Sequence, residues 1–77
     1  MTIVIWSKFD CSFCERAKHE FKKRDLSYEE RIIGGGWTKE QLLEVVPSAR
    51  SVPQIFIDET YVGGYTELMK SGKLDSQ

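Results

Sequence analysis

The sequence predicts an α/β domain in which helices flank a mixed four-stranded sheet. Short apolar runs typical of strands alternate with helical segments, and the elements follow in the order β-α-β-α-β-β-α. The first βαβ unit requires a parallel strand pair with a right-handed crossover, whereas the last two strands are near enough in sequence to form an antiparallel hairpin. The 77 residues contain no repeat or linker, so we expect residues 1–77 to form one domain.

The first strand and the first helix occupy the opening third of the chain. The run TIVIW, residues 2–6, is rich in β-branched residues and is typical of a short buried strand. Residues 12–24 favour a helix, in which Phe13, Ala17 and Phe21 recur every four positions. We therefore expect these three side chains to form the buried face of the helix.

A second strand and a second helix come next. Alternation in SYEERII, residues 27–33, predicts a strand, which the following GGG ends. Thr38 with Gln41 three residues later is a capping-box signature, and Pro47 closes the helix that it begins. The apolar face of this helix is expected to comprise Leu42, Leu43, Val45 and Val46.

The last elements are a hairpin and a short helix. QIFI, residues 54–57, and YV, residues 61–62, are predicted strands separated by the turn DET. A Gly-Gly pair then precedes a helix over TELMK, residues 66–70, with Gly72 as its stop signal. The closing KLDSQ is expected to fray.

Composition and charge narrow the functional classes. The chain has 11 Lys and Arg against 12 Asp and Glu, which argues against a nucleic-acid binder held by bulk charge. No run approaches the ~20 apolar residues of a membrane span, and no secretory signal opens the sequence. We therefore expect a cytoplasmic protein with no membrane partner, in a reducing compartment where paired cysteines are more often reactive than structural.

The two cysteines, in the stretch SKFDCSFCERAK, have the spacing of a redox-active pair. Cys11 falls at the predicted helix N-terminus and Cys14 one turn in, so their Cα atoms should lie about 5 Å apart, within the range of a disulfide. Unsatisfied N–H groups and the helix dipole favour a thiolate at Cys11, and Lys8 adds positive charge, so we expect a lowered pKa for Cys11. These positions predict that Cys11 is the nucleophile and Cys14 the resolving thiol.

Zinc is the main alternative use of the pair. A structural zinc site needs four protein ligands, and the chain offers Cys11, Cys14 and a lone histidine, His19. His19 falls within the first predicted helix, where a surface position is expected. No metal site is therefore predicted from protein ligands alone.

The sequence resembles the glutaredoxins over nearly its whole length. The resemblance rests on three motifs in family order and spacing, which are KFDCSFC, SVPQIFID and GGYTEL. It implies a thioredoxin-like fold and a glutathione-dependent thiol–disulfide oxidoreductase acting on protein disulfides and glutathione mixed disulfides. It also implies that Pro53 is cis and lies beside the active cysteine, which leaves the Val52 main chain free to pair with an extended peptide.

The same resemblance assigns contacts with glutathione. The loop before the last helix would take the γ-glutamyl carboxylate, and a lysine would face the glycyl carboxylate. Lys39 is a weaker candidate than Lys8 for that second contact. The substrate-binding residues implied are Lys8, Phe13, Val52, Pro53, Gly64, Tyr65 and Thr66.

Departures from the commonest family pattern keep other functions open. Ser12 and Phe13 stand where most relatives have Pro and Tyr, and Thr66 where many have an acidic residue. Family members with Ser at this position often bind a [2Fe–2S] cluster shared between two chains through one cysteine and one glutathione each, which is the second hypothesis. A small redoxin reduced by thioredoxin reductase is the third. The enzyme hypothesis implies a monomer, with ribonucleotide reductase as a possible protein client.

Overall fold

Four strands form one mixed sheet, as the sequence predicts. The structure, a computed structural model, describes residues 1–74. The elements are β1 (Ile3–Lys8), α1 (Ser12–Lys23), β2 (Glu29–Ile33), α2 (Lys39–Val45), β3 (Gln54–Ile57), β4 (Thr60–Gly63) and α3 (Tyr65–Ser71). The strand order in the sheet is β2-β1-β3-β4, in which β1 pairs parallel with β2 and antiparallel with β3, and β3 pairs antiparallel with β4.

The two faces of the sheet carry separate apolar layers because side chains alternate along β1. Ile3 and Ile5 point to the face covered by α1 and α3, where they pack with other buried side chains including Phe21. Trp6 points to the opposite face and packs with Leu42 from α2. Along the described chain, no helix is long and apolar enough to cross a membrane.

The buried face of α1 differs from the prediction by one position. Cys14, Ala17 and Phe21 are buried, whereas Phe13 is 51% exposed. Spacings of three and four residues follow the 3.6-residue turn, but a strict repeat of four drifts about 40° per step around the helix. The apolar stripe therefore begins at Cys14, and Phe13 lies on the surface beside it.

The start of α2 agrees with the prediction, but its apolar face is narrower. The Gln41 N–H donates to Thr38 Oγ1 at 3.1 Å, and the Thr38 N–H donates to Gln41 Oε1 at 2.8 Å. Leu42 and Val46 are buried. Val45 is 50% exposed because it lies off the stripe that Leu42 and Val46 share.

The chain after α3 turns back to the core. Gly72 takes the left-handed conformation at φ 67°, the backbone conformation expected of a helix stop. Leu74 then packs into the layer beneath α1 and α3 and is only 3% exposed. The predicted fraying of KLDSQ is therefore wrong at Leu74, because an apolar side chain anchors the turn. Residues 75–77 of that segment lie outside the described residues.

Candidate active site

The two cysteines are joined in a disulfide at the start of α1. Asp10, at φ 56°, turns the chain out of the sheet, and Cys11 follows as the N-cap residue of the helix. Cys14 lies in the first helical turn, with a Cα–Cα distance of 5.2 Å between the pair. The spacing predicted from helix geometry is confirmed, so opening and closing this bond requires little backbone movement.

The Cys11 sulfur lies in an electropositive and partly accessible position. The Cys14 N–H donates to Cys11 Sγ at 3.2 Å, and this sulfur lies 3.7 Å from the Val52 carbonyl oxygen. Cys11 keeps 8% of its surface exposed, whereas Cys14 keeps none. Only Cys11 can therefore be reached from outside, and the helix N-terminus would stabilise negative charge on it once the disulfide is reduced.

Val52 and Pro53 lie directly beside the cysteines. The Val52–Pro53 bond is cis, as expected from the resemblance, and Pro53 is buried. Ser51 and Val52 line two neighbouring cavities of about 180 and 170 Å³. The Ser51–Val52 segment is thus a wall common to both cavities.

The first of these cavities combines cations with an apolar floor. Lys8 lines it together with Lys39 and Arg50, while Ile33 and Leu42 contribute apolar surface. Within residues 1–74, none of the three cations makes an ion pair. The predicted residues Lys8 and Lys39 are therefore brought together. Arg50 was missed, although its place next to Ser-Val-Pro was a usable signal.

The second cavity brings together the rest of the predicted set, namely Phe13, Val52, Pro53, Gly64, Tyr65 and Thr66. The Phe13 and Tyr65 rings lie 5.9 Å apart, and the Arg16 guanidinium lies 5.2 Å from the Phe13 ring centre. Thr66 is exposed at its rim.

The loop before α3 carries one feature that the sequence analysis did not foresee. The Gly64 N–H donates to Glu67 Oε1 at 2.8 Å, so this amide already has a carboxylate partner. A carboxylate-bearing ligand in the second cavity would meet the Glu67 charge next to the loop. Glu67 was named only as part of the motif GGYTEL. Its position three residues after Gly64 is typical of a capping box, and this spacing predicts the contact.

A partly buried charge network ties α1 to β2. Glu30 Oε2 accepts hydrogen bonds from Ser7 Oγ at 2.7 Å and from Lys18 Nζ at 2.8 Å, and Lys18 also pairs with Glu15 at 2.6 Å. Burial alone would raise the pKa of Glu30, but the hydrogen bonds from Lys18 and Ser7 outweigh it and lower that pKa. Burial would lower the pKa of Lys18, but its two carboxylate partners outweigh this and raise it.

The remaining candidate features are the lone histidine and a cavity on the α2 face of the sheet. His19 is exposed on α1, as predicted, and no group of three or more potential metal ligands gathers anywhere in residues 1–74. A larger cavity of about 300 Å³ lies on the α2 side of the sheet, between Val4, Trp6 and Phe56. Its lining contains no cysteine or histidine.

Comparison with known proteins gives one consistent family. The family model "Glutaredoxin" matches residues 3–62. Glutaredoxin 1 of Rickettsia prowazekii is 35% identical over 79 residues, which cover 96% of this chain and 83% of that protein. The chain spans only 59%, 50% and 48% of three longer relatives from rice, cattle and orangutan.

Solved structures agree on the fold. Glutaredoxin 1 of Francisella tularensis, crystallised with cacodylate, superimposes with a TM-score of 0.84 at 26% identity, covering 99% of this chain and 98% of that one. A buckwheat glutaredoxin–glutathione complex gives a TM-score of 0.81 at 27% identity, covering 96% and 73%. These likenesses confirm the predicted thioredoxin-like fold.

Proposed function

The chain belongs to the glutaredoxin family, and from this we propose that it is a glutathione-dependent thiol–disulfide oxidoreductase. The observation that carries the proposal is the Cys11–Cys14 disulfide at the N-terminus of α1, in which Cys11 alone is accessible. A bonded pair in which one cysteine keeps some exposed surface and the other keeps none suits a two-step exchange in which the roles of the sulfurs differ.

The exchange conserves electrons at each step. The Cys11 thiolate attacks one sulfur of a substrate disulfide, forms a mixed disulfide and releases the other sulfur as a thiolate. Cys14, as a thiolate, then attacks Cys11 Sγ and releases the second substrate sulfur. Two glutathione molecules reduce the resulting Cys11–Cys14 disulfide and leave as glutathione disulfide, so two electrons pass from glutathione to the substrate.

The two cavities support glutathione as the reductant. We place the glycyl carboxylate near Lys8, Lys39 and Arg50, which supply positive charge at one end of the site. The cysteinyl main chain would pair with Val52, whose carbonyl lies beside the Cys11 sulfur. The buckwheat relative, solved as a glutathione complex, supports this proposal.

The γ-glutamyl end would then occupy the second cavity. Gly64, Tyr65 and Thr66 line that cavity, opposite the exposed ring of Phe13. The Gly64 amide already donates to Glu67. We therefore expect the second cavity to bind the γ-glutamyl carboxylate less tightly than the cationic first cavity binds the glycyl carboxylate.

Turnover of a glutathionylated peptide tests the proposal. With glutathione, glutathione reductase and NADPH, the protein should release the peptide thiol with saturation kinetics. Lys8→Gln should raise the KM roughly 3-fold, in line with the loss of one solvent-exposed ion pair, while Lys70→Gln on α3 serves as the charge-matched control. Turnover that requires thioredoxin reductase and ignores glutathione would contradict the proposal and favour the small-redoxin alternative.

The role assigned to Cys11 has its own test. A brief iodoacetamide pulse on the reduced protein at pH 6, followed by peptide mass mapping, should label Cys11 much faster than Cys14, because only Cys11 is accessible and faces the helix N-terminus. Preferential labelling of Cys14 would reverse the assignment. We further propose a monomer with a cytoplasmic location, and ribonucleotide reductase as a client, the last of which rests on the family resemblance alone.

A further inference from the structure

A buried side-chain amide contacts the Ser51–Val52 segment, which lines both cavities. Gln54, the first residue of β3, is 7% exposed, and both ends of its amide are used. Its Nε2 donates to the Ser51 carbonyl oxygen at 2.8 Å, and its Oε1 accepts from the Tyr61 hydroxyl at 2.6 Å. These three residues therefore form a chain of hydrogen bonds that runs from β4 across β3 to the segment beside Cys11.

The first of these bonds controls the direction of a main-chain donor. The Ser51 C=O and the Val52 N–H belong to the same peptide group, which is planar and, unlike the next bond, trans. In such a group the two bonds point in opposite directions, so holding the Ser51 oxygen towards the Gln54 amide turns the Val52 N–H away from that amide. This N–H makes no hydrogen bond within the part of the chain that the structure describes.

The Tyr61 hydroxyl holds the oxygen end of the Gln54 side-chain amide. Because Gln54 Nε2 must face the Ser51 carbonyl to donate, Oε1 faces Tyr61, whose O–H donates to it. The Tyr61 ring also packs against Phe56, with 5.4 Å between ring centres, in a contact separate from the hydroxyl. Since Tyr61 is 47% exposed, water can replace its hydroxyl in part, so its effect should be smaller than that of Gln54.

We propose that Gln54 and Tyr61 are positioning residues that aim the Val52 N–H at the main chain of the bound substrate. This inference rests on the proposed function, because the substrate main chain in question is that of glutathione or of a client peptide held next to Cys11. Neither side chain lines either of the two cavities that Ser51 and Val52 share. The contact through which they reach the site is the hydrogen bond from Gln54 to the Ser51–Val52 peptide group.

Steady-state kinetics separate this role from a general structural one. Gln54→Met keeps the length of the side chain without its amide and should raise the KM for a glutathionylated peptide about 5-fold, and Tyr61→Phe about 2-fold, as expected for one buried and one partly hydrated hydrogen bond. kcat and the rate of Cys11 alkylation by iodoacetamide should stay within about twofold, because neither reports on the Val52 amide. Phe56→Leu, which loosens the ring packing and removes no hydrogen bond, is the control and should leave the KM unchanged.

The Val52 amide resonance provides a readout that needs no glutathione. In ¹⁵N-labelled protein without ligand, Gln54→Met and Tyr61→Phe should shift the Val52 amide signal, in that order of size, and Phe56→Leu should not. An unmoved Val52 amide in Gln54→Met overturns the inference, and so does an equal rise in KM in Phe56→Leu. If the wild type does not turn over with glutathione, the proposed function fails. The positioning role of Gln54 and Tyr61 is then tested by the Val52 amide signal and by the KM for a disulfide-linked peptide.

Discussion

Replacing Glu30 by glutamine should destabilise the protein by an amount that depends on pH. In the folded chain, one oxygen of Glu30 accepts hydrogen bonds from Ser7 and Lys18, at 2.7 and 2.8 Å. The side chains of Lys18 and Glu30 are 14% and 24% exposed. Glutamine has nearly the same shape and retains an acceptor, so the change removes the charge and little else.

The size of the effect follows from these contacts. A hydrogen bond to a charged group contributes about 1.5–3 kcal/mol, and a neutral acceptor recovers part of it. Lys18 also retains its pairing with Glu15, and solvent screens a pair of this exposure. We therefore expect a loss of about 1 kcal/mol at pH 7, which corresponds to about 4–8 °C in Tm for a domain of this size.

The sign of the pH dependence comes from the lowered pKa of Glu30. A carboxyl whose folded pKa lies below its unfolded value of about 4.3 stabilises the fold fully above that value. This contribution disappears as the pH falls through the lower, folded pKa. The stability gap between wild type and Glu30→Gln should therefore be full at neutral pH and should shrink steadily as the pH falls below 4.3.

Urea unfolding followed by tryptophan fluorescence measures this gap from pH 7 down to the onset of acid unfolding. Glu29→Gln is the matched control, because Glu29 is the next residue along β2, is 55% exposed and pairs with Arg31 at the surface. Its effect should stay below about 0.5 kcal/mol at every pH. Equal losses in the two variants, or a gap that does not change as the pH falls, would refute the account of Glu30 as a specifically paired carboxylate.

Three further predictions concern the site and the loop beside it. Cys14→Ser should retain deglutathionylation and lose reduction of protein disulfides, whereas Cys11→Ser should lose both in coupled assays, and loss of both by Cys14→Ser would refute a separate resolving role. Glu67→Gln should lower the KM for a glutathionylated peptide about 2-fold, since it removes a negative charge beside the proposed carboxylate site, and a higher KM would oppose that placement. In urea unfolding, Gly63→Ala should lower the free energy of unfolding by about 1–3 kcal/mol more than Gly36→Ala. Both glycines have positive φ, but only a Cβ added at Gly63 would lie 2.8 Å from Glu67 Cβ. Equal losses of stability in the two variants would exclude this contact as the cause.

Features encoded by neighbouring residues were predictable from the sequence. The capping box at Thr38, the helix stop at Gly72 and the spacing of the two cysteines all depend on contacts within a few residues, and the structure confirms each. The error at Phe13 arose because an apolar residue can extend a repeat of four without lying on the buried stripe.

Features that depend on long-range packing were not predictable in this way. Gln54 was assigned to a strand correctly, but its hydrogen bond to Tyr61 depends on the register between β3 and β4. The network of Ser7 and Glu30 likewise joins β1 to β2, and Lys18 enters it from α1. In each case the polar side chain had no local sign of its partner, since the partner lies on another element.

Strand direction explains why the predicted site residues nevertheless come together. β1 ends beside the start of β3, since Trp6 pairs with Gln54 in antiparallel register. β4 runs back along β3, so that Gly63 pairs with Ile55 at this same end of the sheet. The parallel β2 ends there too, with Ile33 opposite Lys8.

The segments that leave these strand ends must therefore lie near one another. They are the Cys11 turn, the cationic start of α2, the Ser51–Pro53 segment and the loop that precedes α3. The order and direction of the strands fix the neighbourhood of the site, and of these the sequence predicted the parallel first pair and the antiparallel hairpin. The hydrogen bonds of Gln54 and Glu67, which the sequence analysis missed, decide which main-chain amides in that neighbourhood remain available to a ligand.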